Sequence, residues 1–303
     1  MRVAISHETV YRYKRPANYS LQYLRMTPLS GPAQRVLTWK LFAPAPLVPW
    51  TDAHGNAAHV LVMDKPHEEI RVQAVGEVEI ADAGKALLSD GEMHSPELYL
   101  RETKLTTADT AVRGFAGRFK PAFEESRRGG LDGLMAGIRD VVEYRPGITH
   151  VATSAAEALD SGAGVCQDHA HLFVSCCRTL GVPARYVSGY LCTDQVGDNN
   201  MASHAWAEAW VDGAGWLSFD VTNRMSNVKA HVRVAVGLDY LDAAPVRGMR
   251  QGGAGEEMEV DVQVGDARQA KAELAKLKKA ERQQAQQQQQ AGLQKQRRQQ
   301  QQQ

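Results

Sequence analysis

The first 80 residues contain four stretches in which apolar and polar positions alternate, at residues 3–13, 35–42, 57–63 and 69–80. Alternation with a period of two is typical of β-strands that have one buried face. Prolines and a glycine-containing turn separate the stretches, and Gly76 interrupts the last one, where it predicts a β-bulge. We therefore predict a small β-sandwich-like domain over residues 1–85.

Farther along the chain the apolar positions follow a helical period. They recur at three- and four-residue spacing over residues 131–144, which predicts an amphipathic helix. Ser154 followed by Glu157 matches a capping box and predicts the start of a second helix. A third predicted helix begins near Cys166, behind a glycine-rich loop, and ends at Gly181, since glycine commonly terminates helices.

The strand pattern returns after the third helix, at residues 184–191, 202–211, 215–221 and 257–264. Residues 212–215 join the second and third of these strands and have the composition of a hairpin turn. We assign residues 86–265, which contain these helices and strands, to a second domain and residues 266–303 to a tail. Residues 81–105 form a connector at the boundary between the first and second domains.

Composition and charge distinguish the tail from the rest of the chain. The chain is 43% hydrophobic, enough for a sizeable core, and its 35 Lys and Arg balance 35 Asp and Glu. However, the tail carries a net charge of +6 and the remainder −6, and an acidic body is unlike a dedicated nucleic-acid-binding protein. The tail holds fifteen Gln and no aromatic residue, so we expect a solvated helix leading into a disordered tract. It is either dispensable or a site of protein contact.

Apolar runs, the N-terminal segment and the cysteines bear on where in the cell the protein is located. No run approaches the roughly 18 apolar residues of a membrane span, and the N-terminus lacks a basic segment followed by an apolar one. Four cysteines in a chain of this length do not form a disulfide scaffold. We expect a cytoplasmic protein with reduced thiols that binds neither membranes nor nucleic acid.

Cys166 is the candidate nucleophile because it lies in the first turn of a predicted helix. The helix dipole and the unpaired amides of that turn favour the charged form of a thiol, and the same amides can hold an oxyanion. The other cysteines lack this placement: Cys176 and Cys177 lie deep in the helix pattern and Cys192 ends an apolar strand. We assign those three to the core.

A nucleophilic cysteine requires a base, and the base requires a group that orients it. His204 opens one strand of the predicted hairpin and Asp220 ends the other, so the hairpin returns Asp220 to the end of the sheet where His204 lies. Strict pairing leaves an offset of a few residues. The three residue types, each at the edge of its element, together favour a Cys-His-Asp site at Cys166, His204 and Asp220.

At this point the sequence resembles a known family, the bacterial transglutaminase-like superfamily. The matching blocks are residues 164–168, 185–190, 203–208 and 215–223. The resemblance extends upstream through residues 144–149 and downstream through residues 237–240 and 245–248. Residues 1–80, through blocks 24–28 and 52–56, resemble the β domain that often precedes this family's core. Two departures are Val221, where proline is common, and Leu238, where arginine is common, and neither falls on the three candidate residues.

The resemblance implies an α+β fold with a papain-like core, in which Cys166, His204 and Asp220 form the triad and no cofactor or metal takes part. It implies attack of Cys166 on the carbonyl of a peptide or amide substrate, proton transfer by His204, and orientation of His204 by Asp220. The resulting thioester meets water in a protease or amidase, or an amine in a crosslinking transglutaminase. The residues do not choose between these acceptors. Tyr144, in a matched block, is a candidate second oxyanion donor or a packing residue.

Two other interpretations remain open. One is a metal site at Cys166, His169, His171 and His204, although His169 and His171 point differently on a helix and the chain has no CxxC or HExxH spacing. Under the triad interpretation His171 packs near the helix start and Asp168 complements the helix dipole or shapes the site. The second is a non-catalytic binding or scaffold module on the same fold. We assign Trp206, Trp210 and Trp216 mainly to the core, with the lining of a substrate cleft as the alternative for some of them.

Overall fold

The computed structural model describes residues 1–81, 94–192, 203–226 and 230–265, together with residues 272, 274–279 and 283 of the tail. The strands are β1 (Arg2–Leu24), β2 (Gln34–Phe42), β3 (Leu47–Thr51), β4 (Ala57–Met63), β5 (His67–Ile80), β6 (Glu143–Tyr144), β7 (Ala163–Gly164), β8 (Ala184–Leu191), β9 (Ser203–Val211), β10 (Gly215–Asp220), β11 (Met225–Ser226), β12 (His231–Gly237), β13 (Val246–Gly252) and β14 (Glu256–Gly265). The helices are α1 (Thr110–Gly117), α2 (Lys120–Glu125), α3 (Arg127–Val141), α4 (Ala155–Ser161), α5 (Cys166–Thr179) and α6 (Tyr240–Ala243), with a short 3-10 helix at Pro96–Leu100. The predicted α+β class is confirmed.

The first sheet has seven strands and curls around the long strand β1. Its order is β2-β5-β1-β4-β3, and β13 and β14 also pair with β1. Residues 246–252 and 256–265 therefore belong to the N-terminal sheet, which corrects the predicted boundary that placed residues 86–265 in a separate second domain. The correction comes from pairing between strands more than 200 residues apart, which the local alternation of either strand does not reveal.

The predicted bulge near Gly76 lies on the partner strand. The register between β2 and β5 shifts between Val36 and Thr38, opposite Glu77 and next to Gly76. A Cβ atom on Gly76 would lie 2.2 Å from the Thr38 carbonyl oxygen and 2.4 Å from the Trp39 ring. Glycine at this position therefore leaves room for the bulged strand beside it.

The second sheet has the order β11-β10-β9-β8-β12 and forms the middle layer of the molecule. On one face, Ala207 and Ala209 of β9 pack in the same hydrophobic core as Phe173 and Val174 of α5. These small side chains permit close approach of the helix. On the other face, apolar residues of β8 and β12 pack against β1 and β5 of the first sheet. This arrangement fixes the start of α5 relative to the ends of β9 and β10.

The turn at residues 52–56 joins the two sheets. The Asn56 side chain donates from Nδ2 to the Val236 carbonyl over 2.8 Å and accepts from Val236 N over 2.9 Å, so it replaces a strand partner for β12. Asp52 accepts a hydrogen bond from Arg25 Nε over 2.6 Å in a buried ion pair and binds the Asn56 side chain. Residues 52–56, which the sequence predicts only as a turn, therefore attach the first sheet to β12 of the second sheet through polar side chains.

The start of the tail also packs on the first sheet. Leu274 and Leu277 contact the buried residues Ala4 and Val75, whereas the sequence predicted a solvated helix with little to bury. Most of the predicted glutamine-rich tract lies outside the described residues, as do residues 82–93 of the predicted connector. Among the helices of the described part, none combines the length and the apolar character needed to cross a bilayer.

Arg178, near the end of α5, is buried and connects four segments. It donates to the backbone oxygens of Tyr99, Ala184 and Leu238 and to Thr106 Oγ1, over 2.6–3.0 Å. We expect Arg178→Met to lower the free energy of unfolding by about 3 kcal/mol or more, because it leaves several buried acceptors without a donor. Urea unfolding followed by circular dichroism measures the change.

The matched control is Arg113→Met, at an exposed position of α1. We expect that substitution to change the free energy of unfolding by less than about 0.5 kcal/mol. Equal effects of the two variants would show that the hydrogen bonds of Arg178 contribute nothing specific.

Candidate active site

Cys166 is the first residue of α5, and the chain enters this helix along a constrained path. The parallel pair β6–β7 aligns Tyr144 with Gly164, two residues before Cys166. Asp168 Oδ2 accepts hydrogen bonds from Val165 N over 2.8 Å and Thr149 Oγ1 over 2.7 Å. A Cβ atom on Gly164 would lie 2.7 Å from the Asp168 Cβ, so glycine is needed for this close approach. Asp168 therefore holds the loop that presents the partly exposed Cys166 side chain.

His204 lies between Asp220 and Cys166. Its Nε2 is 2.8 Å from Asp220 Oδ2, and because an ionised carboxylate only accepts hydrogen bonds, Nε2 carries a proton. Burial alone would lower the pKa of His204, but hydrogen bonds with Asp220 and Cys166 raise this pKa from 6.5 to about 10. The pair at His204 and Asp220 therefore favours an imidazolium facing Cys166.

The Asp220 carboxylate is fully buried and receives several donors besides His204. Asn223 donates from its backbone N to Oδ1 over 3.2 Å and from Nδ2 to Oδ2 over 2.8 Å. His231 Nε2 lies 2.8 Å from the same Oδ2. Burial would raise the pKa of Asp220, but the hydrogen bonds from the two histidines hold this pKa well below its usual range. Asp220 is thus a buried anion whose oxygens are surrounded by hydrogen-bond donors of the protein.

His231 and Asn223 are site residues that the sequence analysis did not assign. Asn223 lies only three residues after Asp220, so its place beside the carboxylate follows from a local turn of the chain. His231 opens β12, which pairs with β8 and not with the hairpin that carries His204 and Asp220. No local pattern indicates that it lies beside Asp220.

Two tyrosines lie near Cys166. Burial and then the charge of Cys166 raise the pKa of Tyr144, and the same two causes, in the same order, raise the pKa of Tyr186 well above its usual value. Tyr144 is half-buried and Tyr186 is buried. Tyr144, predicted as an oxyanion donor or a packing residue, is therefore close to the thiol, and its role stays a prediction.

The histidines of α5 are held by the protein. His169 bonds Thr222 Oγ1 over 2.9 Å and the Val142 carbonyl over 3.0 Å, and His171 Nε2 accepts from Tyr240 N over 3.1 Å. Burial lowers the pKa of His169 to about 4 and that of His171 to about 3. The structure therefore does not gather Cys166, His169, His171 and His204 into the metal site considered above.

Within the described ranges, one group of metal-ligand type does occur, formed by His204, Asp220 and His231 with ligand atoms within 4.8 Å of one another. Both histidines already donate to the carboxylate. Hydrogen bonding alone therefore accounts for the grouping.

The remaining candidates are buried, apart from the half-buried Trp210. Cys176, Cys177 and Cys192 lie in hydrophobic clusters, and burial raises the pKa of each thiol. Trp206 and Trp216 are almost inaccessible, and Trp210 packs against Trp216 with a centroid distance of 5.5 Å. Trp206 and Trp216 therefore form core, and Trp210 lies at its edge.

Comparison with known proteins gives the family. Residues 122–221 match the transglutaminase-like superfamily core, and residues 3–79 match the bacterial transglutaminase-like N-terminal region. An uncharacterized protein of Mycobacterium leprae (strain TN) is 31% identical over 87% of this chain and 98% of its own length. The chain belongs to the transglutaminase-like superfamily.

Two further proteins are similar to this transglutaminase-like chain, one in its fold and one in part of its sequence. The crystal structure of a candidate cysteine protease from Cytophaga hutchinsonii has a TM-score of 0.67 and 22% identity, covering 88% of this chain and 91% of that one, which shows a shared fold. A protein-glutamine gamma-glutamyltransferase of Pseudomonas aeruginosa (strain PAO1) is 33% identical over 112 residues, 31% of this chain and 16% of its own length. The resemblance noted in the sequence is confirmed at the level of family and fold.

Proposed function

We propose that this protein is a cysteine enzyme that transfers acyl groups from amides, to water or to an amine, through a thioester on Cys166. The observation that carries the proposal is the position of the His204 ring, which hydrogen-bonds Asp220 over 2.8 Å through Nε2 and interacts with Cys166. Membership of the transglutaminase-like superfamily supports the same chemistry.

The proposed reaction begins with a Cys166 thiolate and a His204 imidazolium. The thiolate attacks the amide carbonyl, and as the C–N bond breaks, the imidazolium gives its proton to the departing amine. The products of this half are a thioester, a free amine and neutral His204. Neutral His204 then takes a proton from water or an acceptor amine as that molecule attacks the thioester. Release of the acyl product restores the thiolate and imidazolium.

The negative charge that develops on the carbonyl oxygen requires donors. The first turn of α5 offers backbone N–H groups beside Cys166, because the first N–H groups of a helix have no intrahelical acceptor. Tyr144 Oη is the second donor in this proposal, since the charge of Cys166 acts on Tyr144. The Pseudomonas glutamyltransferase makes a glutamine-containing peptide the first substrate to test, with hydroxylamine as acceptor amine.

The alternative function is a binding or scaffold module without turnover. A binding module has no need for a buried carboxylate that holds an imidazolium against a thiol. The structure would then retain a costly buried charge with no chemical use. Reactivity of the Cys166 thiol distinguishes the two functions without knowledge of the substrate.

The test is alkylation with limiting iodoacetamide between pH 6 and 9, with adducts mapped by mass spectrometry. We expect selective modification of Cys166 at a rate that changes little over this range, because the imidazolium persists until the pH approaches the His204 pKa of about 10. In His204→Ala the rate should instead rise steeply with pH, because no imidazolium then favours the thiolate. The three buried cysteines serve as internal controls.

The matched control is His67→Ala, in strand β5 of the first sheet. It should leave the pH profile of Cys166 unchanged. Identical profiles for wild type and His204→Ala would sink the proposal and favour the binding module.

A further inference from the structure

The Asp220 carboxylate serves two histidines through one oxygen atom. His204 and His231 each place Nε2 2.8 Å from Asp220 Oδ2, and the centroids of their rings are 5.5 Å apart. The side chains of Asp220 and His231 are 0% and 1% exposed, so no bulk water competes for these bonds. His231 therefore contacts the carboxylate that faces the proposed base, from a strand outside the hairpin.

The chemistry of the groups fixes where the protons lie. Since Asp220 only accepts, His231 must carry its proton on Nε2, and its Nδ1 has no hydrogen-bond partner among the residues that the structure describes. A buried ring nitrogen without a partner is less costly as a bare acceptor than as a charged N–H. His231 is therefore a neutral donor, and burial accordingly lowers its pKa.

An aromatic contact sets the orientation of the His231 ring. The Trp206 ring packs edge-on against His231, with a centroid distance of 4.9 Å. It reaches His231 across β8, where a Cβ atom on Gly189 would lie 2.7 Å from the Trp206 ring. The ring of His231 is thus held between Trp206 and the carboxylate, as expected of a group with a fixed direction of donation.

We propose that His231 is a positioning residue of this site: its Nε2–H holds the Asp220 carboxylate on His204 and takes up part of its charge, so that the His204 imidazolium can release its proton to the leaving amine. The inference rests on the proposed function. The positive end of the His231 N–H dipole lies close to the imidazolium, which it repels. Without His231, the Asp220 carboxylate would stabilise the His204 imidazolium more strongly, and the imidazolium would release a proton less readily.

The other titratable groups around this pair are few in the described part of the chain. Cys166 and His169 face His204 from α5, and Asp220 faces both histidines from the end of β10. None of these changes in a His231 variant. A shift in the ionisation of His204 is therefore attributable to loss of the His231 donor.

The experiment extends iodoacetamide alkylation of Cys166 to pH 11 and locates the upper inflection, where the imidazolium loses its proton. In His231→Leu this inflection should rise by about half to one pH unit, the effect of one lost neutral hydrogen bond. In His231→Gln, whose amide nitrogen can take the place of Nε2, it should stay within about 0.3 units of wild type. Circular dichroism at each pH verifies that the protein is folded.

A second pair keeps the test decisive if His231→Leu does not fold. His231→Asn is polar like the Gln variant, but its shorter side chain cannot reach Oδ2, so Asn should show the shift and Gln should not. An unchanged or lowered inflection in the variants without a donor, or equal shifts in Gln and Asn, overturns the inference. A stoichiometric divalent ion found in the purified protein by elemental analysis also overturns it. A wild-type profile without an upper inflection contradicts the proposed function instead.

Discussion

Replacing Cys166 by Ala should reduce amide turnover by about 10⁴-fold or more while leaving the fold intact. The reason is that a covalent route is lost entirely when its nucleophile is removed, and only binding and oxyanion stabilisation remain. Cys166 is partly exposed at the start of α5, so its truncation removes little core packing. The measurement is ammonia release from a glutamine-containing peptide, with and without hydroxylamine, beside a thermal melt.

Cys176→Ala is the matched control because it removes a thiol from the middle of the same helix. That side chain is fully buried in the core between α5 and the second sheet. We expect it to lower the free energy of unfolding by about 1 kcal/mol and to leave turnover of the remaining folded protein unchanged. If Cys166→Ala retained turnover, or if the two variants behaved alike, the assignment of the nucleophile would be wrong.

The elements of the site were predictable where their signals are local. The capping box at Ser154 and Glu157 forms as the sequence indicates, and α5 begins at Cys166 after a left-handed glycine, Gly162. The hairpin of β9 and β10 likewise follows from alternation around a glycine turn. These features depend on neighbours within a few residues, so the sequence contains the information that decides them.

The relation of His204 to Asp220 was only partly predictable. Pairing of β9 with β10 aligns Ala207 with Phe219, which leaves Asp220 beyond the last pair and His204 two residues farther on. The side chains cover this offset, since Nε2 and Oδ2 meet at 2.8 Å. Side-chain reach of this kind follows from twist and local packing, and strand alternation does not encode either.

Features that depend on distant contacts were not predictable. His231 appears in the sequence as one histidine among ten, and its place beside Asp220 depends on the pairing of β12 with β8. The return of β13 and β14 to β1 depends in the same way on pairing across most of the chain. The docking of Asn56 on Val236 joins residues 180 positions apart. Alternation specifies that a segment is a strand but not which strand it joins.

The structure suggests why the N-terminal sheet accompanies the transglutaminase-like core. His7 of β1 hydrogen-bonds Tyr190 Oη over 2.9 Å, and Gln34 bonds both the carbonyl and the amide of Arg233. Tyr190 and Arg233 lie on β8 and β12, the two strands that follow β9 in the second sheet. The first sheet therefore supports β12, the strand that begins with His231.

Asp220→Asn is the second substitution with a large expected effect, a loss of about 10³- to 10⁴-fold in turnover. A neutral amide cannot stabilise the His204 imidazolium. In addition, the NH₂ group of the new amide would face hydrogen-bond donors that now meet a carboxylate oxygen. Because burial then acts without the opposing anion, the pKa of His204 should fall below its present value of about 10. Alkylation of Cys166 should consequently become strongly pH-dependent between pH 6 and 9.

Asp160→Asn, at an exposed position near the end of α4, is the matched control and should preserve both turnover and the alkylation profile. Asp220→Asn tests the carboxylate, whereas His231→Leu tests the group that holds it, and the two changes should move the His204 inflection in opposite directions. The anion raises the pKa of His204 and the His231 dipole opposes that rise, so removing the first lowers the inflection and removing the second raises it. Shifts of the same sign in both variants would mean that general disruption of the site, and not the charge on Asp220, controls His204.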